Sequence, residues 1–264
     1  MTAADSPRKR EVRRAFERAA PAYDGAARVQ REAAARLFDF ARTCPRPAHV
    51  CRMLDAGCGT GQALSGLMAH FPRAHCIAVD FSAAMLARAR ASGTALLCAD
   101  VERLPLADAS VDLYWSSLAL QWCAPATALA EAARVLAPGG AAWIATLGPR
   151  TLHELRAAFA AVDDAAHVID FASAGHWRDA ARAAGLSILS SAQEPLRDLA
   201  ADLRTLLGNI KAIGARTVGE KRRKTPLGRR GWQTLQSAYE TFRRPDGTLP
   251  ATYDLILLAL RKPP

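Results

Sequence analysis

The sequence predicts an α/β fold, with a parallel sheet covered by helices on both faces. Three observations carry that prediction. Short apolar runs alternate with segments of helical periodicity between residues 50 and 147. A turn with three glycines, Gly57-Cys58-Gly59-Thr60-Gly61, closes the first of those runs. Half of the 264 residues are apolar, yet the longest apolar stretch near the end, Leu255 to Leu260, is far too short to cross a bilayer.

The elements follow in order. Val12, Phe16 and Ala19-Ala20 recur at helical spacing, and a second helix over Ala26 to Ala41 sets Val29, Ala33, Leu37 and Phe40 on one face. Pro45 and Pro47 end it. The first strand is Val50 to Asp55, with a helix over Gly61 to His70 after it. A second strand, Cys76 to Asp80, leads into a helix over Ser82 to Ala91, for which Ser82 is the N-cap residue. Strands at Ala95 to Cys98 and Val111 to Trp115 precede a helix over Ala126 to Leu136. Pro138-Gly139-Gly140 stops that helix, and Ala141 to Leu147 forms the fifth strand. Beyond Gly148 the pattern predicts helices at Thr151 to Val162 and His176 to Ala184, then a strand at Leu186 to Ser190. A helical stretch from Leu196 to Ile213 and a last strand at Tyr253 to Leu260 complete the chain.

Charge and composition narrow the function classes. The formal net charge is +10, and an excess of eight positive charges lies between Arg197 and Arg244. So concentrated a positive surface points to an acidic partner. Six cysteines without a C-x-x-C pair read as free thiols in a reducing compartment. The first fourteen residues are polar and basic with no apolar core after them, unlike a secretory signal. A cytoplasmic enzyme is the expectation. The histidines form no metal-ligand cluster, so no metal is expected, and nothing in the sequence fixes an oligomeric state.

Ligands of open parallel sheets bind beyond the carboxyl ends of the strands. Gly57, Gly59 and Gly61 let the backbone turn tightly and approach a ligand closely. A dinucleotide fingerprint would space its glycines G-x-G-x-x-G, whereas here the third arrives one residue early. Asp55 ends the first strand. Asp80 ends the second, where a carboxylate can accept both ribose hydroxyls of an adenosine. Asp100 and Val101 follow the third strand, beside an adenine edge, while Ser116 and Leu118 follow the fourth and can floor a methionine end.

Through LDAGCGTG, the acid of AVDFS, the ADVERLP segment and RVLAPGG, the sequence resembles the class I S-adenosylmethionine-dependent methyltransferases, over roughly Val50 to Leu147. The resemblance implies a Rossmann-like, seven-stranded, mostly parallel sheet whose final strand runs antiparallel. It also implies S-adenosylmethionine as cofactor, with Phe81 and Met85 packed around the adenosine. Flanking segments resemble one subfamily, the malonyl-carrier-protein O-methyltransferases of biotin synthesis: FERAAPAYD with RVQRE, SLALQWC, TLGPRTLHEL, KAIGAR and LPATY. That resemblance implies methylation of the free carboxylate of a malonyl thioester on acyl carrier protein. Such a carboxylate, with a pKa of about 4, is already ionised at neutral pH and needs no strong base.

On this reading the chain is one methyltransferase domain. Residues 1–44 form a helical lid, 45–195 the cofactor core, 196–248 a basic helical insertion that adds to the lid, and 249–264 the final strand. Tyr23 is the candidate catalytic residue, a lid donor over the methyl. Gln121, Trp122, Lys211 and Arg216 are candidates to hold the malonyl carboxylate, Arg216 through two parallel hydrogen bonds. Arg222, Arg223, Arg229 and Arg230 are candidates to dock the acidic carrier protein.

Three rival readings remain. A nucleic-acid methyltransferase would use the positive charge for phosphates, but the N/D-P-P-Y/F-type motif of base methylation is replaced by Ser116-Ser117-Leu118-Ala119, and no nucleic-acid or membrane partner is expected. The chain also looks broadly similar to an assembly factor of respiratory complex I that shares the fold and hydroxylates an arginine. Methylation of a small free carboxylic acid would need no carrier-protein face.

Overall fold

The computed structural model describes residues 7–47, 49–89, 94–212 and 226–264. Helices α1 (Pro7–Ala19), α2 (Tyr23–Ala26) and α3 (Arg28–Arg42) precede β1 (Arg52–Ala56). Then follow α4 (Leu64–His70), β2 (His75–Asp80), α5 (Ala83–Leu86), β3 (Thr94–Cys98), β4 (Val111–Ser117), α6 (Pro125–Val135) and β5 (Leu136–Leu147). The last elements are α7 (His153–Ala160), α8 (Ala174–Ala183), β6 (Ser187–Ala200), α9 (Leu203–Ala212), α10 (Arg229–Glu240) and β7 (Leu249–Arg261).

The seven strands form one sheet in the order β3-β2-β1-β4-β5-β7-β6, in which β7 alone runs against its neighbours. The expected architecture is therefore present, and the order reverses between β1 and β4, where a ligand crevice opens. Both faces are covered, so the strands are apolar on both sides. Met53, Leu113, Trp115, Trp143, Leu255 and Leu257 face α3, α4, α7, α9 and α10. The residues between them, Leu54, Tyr114, Ala142, Ile144, Ile256 and Leu258, face α6 and α8. This two-residue alternation sorts one chain into two cores.

Several boundaries differ from the sequence pattern, each for a physical reason. Residues 196–200 are strand, not helix. Leu196, Leu199, Ala200 and Leu203 repeat at helical spacing, but Asp198 is buried with Leu196 and Ala200 in a two-residue period, and β6 pairs with β7 along its whole length. Pro195 is tolerated because β6 is an edge strand with one neighbour. The insertion thus begins after β6, and α9 and α10 flank residues outside those described. β5 also starts early, at Leu136 rather than Ala141, running through the Pro-Gly-Gly segment expected only to stop the helix before it. α5 is a single short turn capped by Ser82, whose hydroxyl accepts from Met85 N at 3.3 Å.

α3 belongs to the main core rather than hanging from it. Val29, Ala33, Leu37 and Ala41 are buried in the same cluster as β1, β4 and β5. Leu37→Ala is expected to lower the unfolding free energy by about 2–5 kcal/mol in urea titrations. A loss below about 0.5 kcal/mol would mean that α3 packs only peripherally.

Candidate active site

The carboxyl ends of β1, β2 and β4 surround a cavity with about 1010 Å³ of empty space, counting its mouth. Its floor is the glycine turn. Gly57, Gly59 and Gly61 all adopt positive φ (81°, 55° and 82°), which L-residues resist. Gly57 is also demanded by contact, since a Cβ there would lie 2.1 Å from that of Ala119. A Cβ on Gly59 would meet nothing within 4 Å, because the residue faces the cavity. Gly61 does not line the cavity. It lets the turn enter α4, where a Cβ would crowd Leu64 and Ala89.

Two buried acids define the electrostatics. Asp80 accepts Gly59 N at 2.9 Å and Ser82 N at 2.8 Å, so it braces the turn and still has lone pairs for a ligand. Asp55 Oδ2 is buried without a partner. Burial, with a contribution from the Asp80 charge, pushes the Asp55 carboxyl up to about 7. Burial raises Asp80 to about 6 against the opposing backbone hydrogen bonds. An unpartnered buried carboxylate beside an open cavity suits a cationic ligand group.

The other expected cofactor residues divide. Phe81, Met85, Asp100, Val101 and Leu118 line the same cavity. Asp100 is already engaged: Lys9 of α1 bridges it and Glu102, and Glu102 N donates to Asp100 Oδ1 at 3.0 Å. Ser116 is a correction. Its hydroxyl donates to Ala56 O at 2.7 Å inside the sheet, and Ser117, one residue on, lines the cavity instead. Side chains alternate along a strand, so one register step decides which serine meets a ligand.

A second cavity, with about 680 Å³ of empty space, adjoins the first. The two share five lining residues: Phe16, Tyr23, Gln30, Leu118 and Trp122. Phe16 packs against Tyr23, Phe81 and Trp122 with ring centroids 5.8–6.4 Å apart, so α1 inserts an aromatic wedge between the chambers. Burial first, then the charges of Asp80 and Asp24, hold the Tyr23 phenol well above its usual range. The phenol therefore keeps its proton at neutral pH. Leu118 has φ of 51°, strain located where the chambers meet.

Asp24, which the sequence reading did not single out, ties α2 to the glycine turn. Its Oδ1 accepts Thr60 Oγ1 at 2.5 Å and Gln62 Nε2 at 3.1 Å, both from the glycine turn. The far wall is a loop stitched to β7: Asp254 accepts Arg150 N and Gln193 Nε2 and donates its N–H to Thr151, while Glu154 accepts from Thr252. Leu152 in that loop has φ of 53°. The loop lies in TLGPRTLHEL, but only the folded β7 reveals its buried acids.

The acceptor candidates also divide. Gln121 and Trp122 line the second cavity. Lys211 does not: it is exposed on α9, and its neighbour Ile210 turns inward. Arg229 and Arg230 are exposed at the start of α10, whereas Arg216, Arg222 and Arg223 lie outside the described residues.

Comparison with known proteins then decides the family. Residues 54–144 match a methyltransferase-domain model. The malonyl-acyl carrier protein O-methyltransferase of Dechloromonas aromatica (strain RCB) is 48% identical over 97% of this chain and 95% of its own length. The chain belongs to that family. It is a methyltransferase, and its methyl donor is S-adenosylmethionine. Another member, from Herminiimonas arsenicoxydans, is 40% identical over 96% of both chains. The bifunctional BioHC protein of Cellvibrio japonicus (strain Ueda107) is 38% identical over 99% of this chain and 52% of its own length. Among solved structures, geranyl diphosphate C-methyltransferase from Streptomyces coelicolor A3(2) shares the fold at 14% identity (TM-score 0.53, covering 86% of this chain and 78% of that one). So does the [4+2]-cyclase SpnF at 22% identity (TM-score 0.54, covering 86% and 81%). At such identities the likeness establishes the fold alone. Among the described residues no helix is long and apolar enough to cross a membrane.

The two acids give a signed pH prediction. Their folded pKa values, about 7 and about 6, exceed the ordinary carboxylate value of about 4. Folding therefore binds protons, and the ligand-free protein should lose stability as pH rises from about 4 through 7. Thermal melts of wild type and Asp55→Asn from pH 5 to 8 should show that decline flattened in the variant. Parallel profiles would mean that Asp55 is not the buried acid described.

Proposed function

We propose that this chain transfers the methyl group of S-adenosylmethionine to the free carboxylate of malonyl-acyl carrier protein, forming the methyl ester that primes pimeloyl synthesis for biotin. The observation that carries the proposal is near end-to-end identity of 48% with a relative that bears this activity in its name. Two adjoining chambers are what such a transfer requires. One holds a cofactor and the other an acyl arm, and the reacting groups meet between them.

When bound, S-adenosylmethionine supplies an electrophilic methyl on a sulfonium, and transfer discharges both that cation and the acceptor anion. The residues present fit it. Asp55 would hold the cationic end, Asp80 the ribose hydroxyls, and Val101, Phe81 and Met85 would pack the adenosine. Asp100 would reach the adenine edge with Lys9 steadying it. Since opposite charges cancel as the reaction proceeds, a site that excludes water favours it. Phe16, Leu118 and Trp122 supply that dryness, and Tyr23 keeps its proton and donates to the acceptor. No group need act as a general base.

The lid of residues 1–44 would open to admit cofactor and close through Asp24. An acidic carrier would be steered by the exposed arginines of the insertion, Arg229 and Arg230, together with Arg222 and Arg223. Neither nucleic acid nor membrane is needed, and a cytoplasmic location fits the free cysteines.

The test offers methyl-labelled S-adenosylmethionine with malonyl-acyl carrier protein, malonyl-CoA, free dicarboxylic acids or RNA. Methyl ester on the malonyl thioesters is expected, and label in RNA alone would overturn the proposal. Arg229→Glu with Arg230→Glu should reduce turnover of the carrier-protein substrate at least about tenfold more than that of malonyl-CoA, because only the carrier presents an extended acidic surface for these arginines to dock. Equal loss on both would assign these arginines to folding.

A further inference from the structure

We propose that the acceptor carboxylate is anchored by neutral hydrogen-bond donors at the junction of the two cavities, and that Gln30 of α3 is the specificity-determining anchor, acting beside Tyr23. The inference rests on the proposed malonyl acceptor.

Three observations carry it. Gln30 is one of the few residues lining both chambers, the place where a nucleophile must sit to meet a methyl group. Its Oε1 is buried without a hydrogen-bond partner. A buried amide left unsatisfied is costly, and such atoms persist where a ligand completes them. Half a turn about its terminal bond presents the NH₂ instead, and the partner decides which end faces inward. Finally, among the described residues no lysine or arginine lines the second cavity. His167 does, but its Nε2 is already 2.8 Å from Asp163 Oδ1.

That no cation stands at the junction among the described residues follows from the chemistry. As the carboxylate oxygen bonds to the methyl carbon, the carbon–sulfur bond breaks, its electron pair returns to sulfur, and the carboxylate loses its charge. A paired lysine or arginine would stabilise the starting anion more than the transition state, and so raise the barrier. An amide and a phenol hold the oxygen in line while costing less as the charge falls. Gln30 therefore selects a carboxylate-bearing acyl group without quenching it.

The test is calorimetric titration of the protein saturated with S-adenosylhomocysteine, using malonyl-CoA and acetyl-CoA. Wild type should bind malonyl-CoA at least about tenfold more tightly, since only that ligand completes the junction. Gln30→Leu should weaken malonyl-CoA about tenfold to hundredfold while leaving acetyl-CoA and S-adenosylhomocysteine within about twofold. Gln30→Glu, close in size, should weaken malonyl-CoA further by repulsion and guards against loss of fold. Lys211→Ala and Arg216→Leu should leave malonyl-CoA affinity within about twofold, because neutral donors carry the contact. An unchanged malonyl-to-acetyl preference in Gln30→Leu would overturn the proposal, as would a hundredfold loss in either cation variant. No preference in wild type would overturn the malonyl reading and this inference with it, whereas a wild-type preference that Gln30→Leu keeps would overturn the inference alone.

Discussion

The hydrogen bonds from Thr60 and Gln62 to Asp24 join two parts of the chain on which the site depends in different ways. The glycine turn belongs to the sheet and is braced from beneath by Asp80. The N-terminal helices contribute Phe16, Tyr23 and Gln30, three of the five residues at which the chambers meet. Where Asp24 holds the turn, those side chains roof the carboxyl ends of β1 and β4. Asp24 is half exposed, so the tie is individually weak. Lys9 gives a second tie at the other edge, onto Asp100 and Glu102.

Charge is distributed with equal economy. Acidic groups are buried at the cofactor end, where burial raises Asp55 and Asp80 toward neutrality. The junction is aromatic, amide and aliphatic. Among the described cations, Lys9 is taken up by Asp100 and Glu102, while Arg229 and Arg230 are exposed on α10, where they can meet an acidic protein without entering the reaction. A methyl transfer that annihilates a cation and an anion is served by that arrangement, because fixed charge near the reacting atoms would favour the separated ions.

Much of this was legible in the chain. The alternating runs, the early third glycine and the acids at successive strand ends each leave a local signal, and the folded sheet places Asp55, Asp80, Phe81 and Met85 around one cavity. What was not legible turns on one-residue rotations or on distant partners. Ser116 and Ser117 differ by one step of pleat, as Lys211 and Ile210 differ by a hundred degrees of helix. Leu196 to Ala200 satisfies a helical spacing and a strand spacing at once, and only a long partner in β7 settles the matter. Asp24 and Gln30 lie in the FERAAPAYD and RVQRE segments, but nothing local shows what they meet, because their partners lie in elements that come together only when the N-terminus folds over the sheet.

The most direct measurement is a crystal structure of the protein with S-adenosylhomocysteine and a malonyl thioester bound together. The account predicts the acceptor carboxylate at the junction, within hydrogen-bond distance of Gln30 and Tyr23, facing the cofactor sulfur, with the thioester arm in the second cavity. A carboxylate paired with a lysine or arginine instead of with Gln30 and Tyr23 would contradict it.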